Sequence, residues 1–418
     1  RVDAAAQEDL VVTDAGALVL VARSGELRLG GGVASPALAL QAGSGPVLLQ
    51  AEAGRLVVDA GLAGGGPLSL RASGDLVLGA AGRVALDGGA SADLASGANL
   101  LMADGSSVTS AGTGAHLRLQ ATGNLTLGQL VAGGDVSLLA RSIADSGGSE
   151  LDIVAQGLRL VASGGGAGSG AAPLHTSVAL LAAQVAGTGA AGLFVQEADA
   201  LRTGTVGPVA VQRVAADGSV STLGDAALSD VAAAGNVVLR SAGELRVGDG
   251  DANGTGLSAG GNLLLQTQGG AAALVLEPGA ALRLAGGHAS LLAAGELRLG
   301  ADLVLERSGR SVDIEAGGAV RQAFGAGIDT NNSDVRVAAG GDIVLARVGA
   351  CRPAGRGAAS GGCSVRGVRG AAWQPEPPLE EERERCKEAG RERVERVVRV
   401  ARQLAARLVS QHASSRVF

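Results

Sequence analysis

The chain has 418 residues, of which 70 are Gly, one is Met, one is Trp, three are Phe and none is Tyr, and its formal net charge is −6. Hydrophobic content of 46% against 18% charge excludes simple disorder, while the scarcity of aromatics excludes a globular core filled in the usual way by large rings. No apolar run reaches the roughly 18 residues a spanning helix needs, so no membrane span is expected.

From the first residues onward the pattern is Leu-x-Leu punctuated by glycine. Gly25-Glu26-Leu27-Arg28-Leu29, Gly74-Asp75-Leu76-Val77-Leu78 and Gly123-Asn124-Leu125-Thr126-Leu127 recur later as Gly243-Glu244-Leu245-Arg246-Val247, Gly295-Glu296-Leu297-Arg298-Leu299 and Gly341-Asp342-Ile343-Val344-Leu345. Each unit reads as one short strand, with two aliphatic residues on one face, an outward residue between them and a turn in front. Strand starts near Leu18, Leu27, Leu38, Val47, Leu56, Leu68, Leu76 and Val84 step by about nine residues. Such units cannot bury their apolar face alone and must stack, which predicts an all-β chain folded as a right-handed parallel β-helix over residues 1–350. With two to three strands and about 18–20 residues per coil, the expectation is about 17–19 coils.

Residues 133–224 are less regular. Ser163-Gly164-Gly165-Gly166-Ala167-Gly168-Ser169-Gly170 predicts a flexible loop. Residues 209–223 alternate around Asp217-Gly218, which predicts a two-residue hairpin turn and a hairpin projecting from the coil wall. This departure from the plain wall is the best candidate for a partner contact in the ordered body, against the alternative of a tolerated insertion.

Residues 225–350 then rerun residues 3–132. Val47-Leu48-Leu49-Gln50 returns as Leu263-Leu264-Leu265-Gln266, and His116-Leu117-Arg118-Leu119 as Asp334-Val335-Arg336-Val337, with offsets close to 218. After Ala350 the pattern stops. Residues 351–418 carry 13 Arg and the only lysine, Lys387, against eight Glu, a net of +6, whereas residues 1–350 sum to −12. All three cysteines (Cys351, Cys363, Cys386) fall in this basic tail, and Val394, Val397, Val398, Ala401, Leu404, Ala405 and Leu408 sit at helical spacing, predicting a helix over about 379–410. The abrupt change reads as a frameshift or foreign junction, as a partner-binding or capping helix, or as a solvated tail. Residues 351–375 are expected to be irregular. The start at Arg1, without initiator Met or charged-then-apolar leader, reads as an internal piece of a longer product. The cysteine-free body is compatible with secretion.

Motifs that carry chemistry elsewhere have weak support here. Gly256-Leu257-Ser258-Ala259-Gly260 matches a nucleophile elbow, yet Asn262-Leu263-Leu264-Leu265 follows it as another strand, not the helix that chemistry needs. Gly187-Thr188-Gly189-Ala190-Ala191-Gly192 matches a dinucleotide fingerprint but runs into the strand-like Leu193-Phe194-Val195. Asp249, Asp251 and Asn253 have the opening spacing of a calcium loop, a metal candidate that lacks its closing carboxylate because that position is Gly260. The histidines His116, His175, His288 and His412 are far apart, with none paired to a second ligand at metal spacing. Arg28, Arg118, Arg246, Arg298 and Arg336 alternate with inward aliphatics and read as a solvated face. No catalytic residue and no cofactor is assigned, and the acidic body argues against nucleic acid.

The strand repeats, the Gly-Asp/Asn-Leu-x-Leu turns, the long duplication, and Pro173-Leu174-His175-Thr176-Ser177-Val178 followed by Phe194-Val195-Gln196-Glu197-Ala198-Asp199-Ala200-Leu201 resemble the filamentous-haemagglutinin-like large exoproteins of Gram-negative bacteria. The resemblance implies a structural spacer or stalk of an adhesin at the cell surface or secreted. It further implies no catalysis, a monomeric rod, and an unidentified host-surface or matrix ligand reached through the wider protein. The alternatives are a β-helix polysaccharide lyase or hydrolase, which needs a wall groove with several carboxylates, and a calcium-stabilised repeat protein.

Overall fold

The computed structural model describes residues 10–30, 38–148, 150–349 and 365–368. Every element among them is a strand, and no helix is long and apolar enough to cross a membrane. The chain divides into two compact units, Arg1–Gly235 and Asn236–Phe418. Parallel strands stack in both as a β-solenoid, with about 14 turns in all.

In the first unit each coil contributes one strand to each of three columns. The first column contains Leu18–Ala22, Val47–Ala51, Leu68–Ala72, Ala92–Ser96, Leu117–Ala121 and Val136–Ala140. The second contains the short strands Leu27–Leu29, Leu56–Val58, Leu76–Leu78, Leu100–Met102, Asn124–Leu127 and Ser142–Asp145. The third runs from Leu38–Gln41 through Gly61–Gly64, Arg83–Leu86 and Ser107–Ser110 to Gln129–Ala132. Val47, Leu68, Ala92, Leu117 and Val136 stand in register, so successive coils take 21, 24, 25 and 19 residues. The coils are therefore longer and fewer than the sequence reading expected. Three strands close each coil, the larger of the two counts expected, and the strand spacing is about seven to eight residues against the nine expected.

The inward residues form a thin aliphatic core. Leu76, Leu78, Leu125, Leu127, Leu245, Leu265, Leu297 and Leu299 are buried, each burial contributing about 1.5–3 kcal/mol. Leu27 and Leu29, in the first described coil, are only half-buried. Among the described residues their strand pairs on one side alone, with Leu56–Val58.

The Gly-Asp/Asn-Leu turn has a physical cause in the stacking. The Asn99 backbone N–H donates to Asp75 Oδ1 at 2.9 Å, and the Asn124 N–H to Asn99 Oδ1 at 3.0 Å, so each side chain accepts the equivalent N–H of the next coil. In the second unit Asn262 N–H donates likewise to Asn236 Oδ1 at 2.8 Å, and His288 N–H to Asn262 Oδ1 at 2.9 Å. The glycines let these turns approach closely: a Cβ on Gly54 would lie 1.9 Å from the Gly25 carbonyl oxygen.

The second unit repeats the same three columns. Leu245–Val247 stands 218 positions after Leu27–Leu29, Leu274–Leu276 218 after Leu56–Val58, and Leu297–Leu299 221 after Leu76–Leu78. Leu263, Ala289, Val312 and Val335 are in register, giving coils of 26, 23 and 23 residues.

Past residue 350 the ladder does not stop as expected. Val365–Val368, within the stretch expected to be irregular, pairs in parallel with Asp334–Ala339, because the final strand of a parallel stack presents open backbone donors and acceptors. The helix expected over 379–410 lies outside the described residues, as do the three cysteines and His412.

Candidate functional site

The hairpin is formed by Val209–Val214 and Val220–Asp225, with Val214 opposite Val220. Its turn differs from the two-residue form expected. Gly218 N–H donates to Ala215 O at 2.9 Å and Ala215 N–H to Ser219 O at 2.8 Å, with Gly218 at φ +81°. This is a three-residue loop whose glycine takes the left-handed position.

Nor does the hairpin project. Val214 N–H donates to Ser69 Oγ at 2.9 Å and Gln212 N–H to Ser91 Oγ at 2.8 Å, so the strand crosses the wall from coil to coil. Its inner side chains Val209, Val211 and Val214 are buried. At the tip, a Cβ on Gly218 would come 3.0 Å from the Ala17 Cβ. The driving force is the burial of an alternating valine face that an isolated hairpin would leave in water.

Beneath it lies an ionic cluster. Asp93 receives Arg118 Nη1 on Oδ1 at 3.1 Å and Arg213 Nε on Oδ2 at 2.6 Å. Arg118 Nε also reaches Asp225 at 3.1 Å, and Ser137 Oγ donates to Asp225 Oδ2 at 2.7 Å. Arg159 Nε donates to Ala226 O at 2.8 Å, closing the hairpin base. Two aspartates and two arginines thus neutralise one another, Asp93 and Arg118 shut off from water and Arg213 partly open to it, which makes the pairing depend on correct placement of the hairpin. Arg118 is accordingly not part of a solvated face.

A second cluster occupies the turn between the second and third columns. The passage at Gly128 takes a single residue between strands, whereas the coil before it uses Ala103 to Ser106 and the next coil runs from Ser146 to Asp152. The short turn leaves a notch of about 250 Å³, lined among others by Arg83, Asp104, Gln129, Glu150 and Asp152. At its end, ligand atoms of Asp145, Asp152 and His175 lie within 4.8 Å of one another. Asp152 Oδ2 accepts the His175 backbone N–H at 2.7 Å and lies 3.9 Å from His175 Nδ1, a buried nitrogen with no hydrogen-bond partner among the described residues. Burial, and then the neighbouring Asp145, push the Asp152 carboxyl up to about 8, against the His175 N–H that favours its ionised form. Two carboxyls and an imidazole nitrogen are a donor set that can hold a divalent cation or share a proton.

Asp145 and Asp152 flank one turn, while His175 lies 30 and 23 positions further on, about one coil, and only stacking brings it to them. The sequence reading therefore missed the group and left His175 without a partner. The signal that could have found it is the long turn before Asp152, in the least regular part of the first copy. His116 Nδ1 accepts the Asp135 N–H at 2.9 Å, and His288 Nδ1 bonds Ser311 Oγ at 2.9 Å.

The calcium-loop residues sit in a tight turn of the second unit. Asp249 Oδ1 accepts Asn253 N–H at 3.1 Å, Asp249 Oδ2 accepts Gly254 N–H at 2.8 Å, and Asp251 Oδ1 accepts Asn253 N–H at 3.1 Å. Asn253 Oδ1 accepts Thr255 N–H at 2.9 Å, so all three side chains serve the turn's own backbone. Ser258 lies within the strand Thr255–Ala259, and the residues 187–192 lie within Leu174–Glu197, so neither glycine motif precedes a helix.

Glu197 is a fully buried carboxyl. Oε2 accepts Thr176 Oγ1 at 2.7 Å and Val178 N–H at 3.1 Å, while Oε1 accepts Ala198 N–H at 3.0 Å and Asp199 N–H at 3.2 Å. Burial nevertheless pushes it from 4.5 up to about 8.

No family model matches the chain, and comparison with curated proteins and with solved structures finds no match either.

Proposed function

We propose that the chain is a spacer segment of a bacterial surface or secreted adhesin, a stalk without catalysis whose wider protein carries the ligand-binding part. The observation that carries this reading is the strand-for-strand return of one block of coils. Turns that accept the next coil's N–H groups, and a core only a few aliphatic side chains wide, suit a structure lengthened by copying. In a spacer any single coil is dispensable. Excising residues 263–288, so that Ala289 follows Asn262 and takes the place of Leu263, should give a soluble chain with a cooperative melt within a few degrees of the parent. Loss of folding would overturn the reading, as would turnover of polysaccharide, ester or peptide substrates by the intact chain.

The notch favours one second reading, a polysaccharide-acting β-helix enzyme, because it places two carboxyls and an imidazole beside an open recess. Release of reducing ends or unsaturated products from an acidic or neutral glycan panel, abolished by Asp152→Asn, would establish it over the spacer.

A further inference from the structure

Most of the residues that line the hairpin's wall in the first unit recur in the second. Along the first column, the outward residues Leu48, Ser69, Asp93, Arg118 and Ser137 are all buried in a wall that the hairpin crosses. The matching positions of the second unit are Leu264 for Leu48, Ser290 for Ser69, Ser311 for Ser91, Asp313 for Asp93 and Arg336 for Arg118. The residue types are the same at these five, whereas the register position of Ser137 beside Arg118 is taken by Arg366 beside Arg336. Register is preserved too, since Asp313 pairs with Arg336 across adjacent strands as Asp93 does with Arg118.

Their surroundings differ. Asp313 and Arg336 keep 39% and 46% of their side-chain surface exposed, against 0% and 6% for Asp93 and Arg118. Leu264 and Ser290 are half-buried where Leu48 and Ser69 are closed off. Ser311 holds His288 Nδ1 at 2.9 Å instead of a hairpin N–H. Glu315, which stands where the first copy has Ala95, adds a second acceptor for Arg336 and leaves the Asp313–Glu315–Arg336 group with a net charge of −1.

We propose that this face of the second unit is a docking surface for a β-hairpin with the chemistry of residues 209–225, delivered by another polypeptide. Its occupant has a valine or other aliphatic inner face, an arginine to take the second oxygen of Asp313, and an aspartate to meet Arg336. Its strand crosses the wall from coil to coil, and its backbone N–H groups bond Ser290 and Ser311. About 3.3 Å per strand residue against about 4.8 Å per coil lets six residues cover three to four coils, as Val209–Val214 does in the first unit. The net negative group favours the arginine-bearing hairpin over an acidic segment. The inference does not depend on the spacer reading.

The test uses the full chain, whose own hairpin already fills the first wall, and a fluorescent peptide of residues 209–225 closed by a disulfide between added terminal cysteines. Anisotropy titration should show saturable binding. Asp313→Arg in the chain should weaken it at least about tenfold, and the peptide variant Arg213→Asp should restore binding to that chain but not to the parent. Ser290→Arg, which places bulk on the wall without touching the ion pair, should block both peptides. Absence of saturable binding up to millimolar peptide would overturn the proposal. So would binding indifferent to Asp313→Arg and Ser290→Arg in chains whose melts match the parent.

Discussion

Arg118 and Asp93 pair at 3.1 Å with neither side chain open to water, while Arg336 and Asp313, the same pair one duplication later, remain in solvent. Removing one partner of a shielded pair leaves a buried charge, whereas an exposed pair contributes little. Arg118→Ala should therefore cost about 3–5 kcal/mol in urea unfolding and loosen the hairpin, and Arg336→Ala no more than about 1 kcal/mol. Equal costs at the two positions would show that the hairpin does not shield the first pair.

Glu197 gives the chain a pH dependence with a defined sign. Its folded-state value, raised from 4.5 to about 8, means that the folded chain holds the proton more tightly than the unfolded one. The associated stability is fully present below about 4.5 and is lost as pH rises through about 8. Melting temperature should fall over that interval. Glu197→Gln should flatten this part of the profile and lower stability by about 1–3 kcal/mol, because an amide nitrogen cannot accept the Ala198 and Asp199 N–H groups. A variant with the parent's full pH slope would assign the slope to other groups.

Two turn glycines separate close approach from backbone strain. Gly54→Ala drives a methyl to 1.9 Å from the Gly25 carbonyl and must displace a coil, at about 1–3 kcal/mol or more. Gly25→Ala meets nothing within 4 Å and bears only the left-handed φ of +81°, at about 1–2 kcal/mol. Thermal melts should rank Gly54→Ala as the more damaging, with broadened backbone exchange in the adjoining coils.

The turn at Asp249 should behave as a hydrogen-bonded loop. Chelator should leave the melting temperature unchanged, and Asp249→Ala should lower stability by about 1–2 kcal/mol by stranding the Gly254 N–H, since Asp251 still accepts the Asn253 N–H. A chelator-dependent drop of several degrees, abolished by Asp249→Ala, would instead support the calcium-stabilised reading.

The strands were legible because their code is local. Alternation in Leu76-Val77-Leu78 and the Gly-Asp turn before it set a period of two and a stop within five residues, and stacking follows from the apolar face they leave. The strand count was legible only as two to three per coil, since every strand carries the same alternation and only the accumulated bend of the turns decides where a coil closes. The Asp145–Asp152–His175 group escaped for a related reason, since its imidazole comes from the next coil, above the turn that Asp145 and Asp152 flank. The arginines show the limit most directly. Leu117-Arg118-Leu119 and Val335-Arg336-Val337 are equivalent as sequence, and the sequence alone makes both arginines outward. Only tertiary structure buries the first, because its cover includes Asp225, 107 residues away, and burial is a property of what the rest of the chain lays over a side chain.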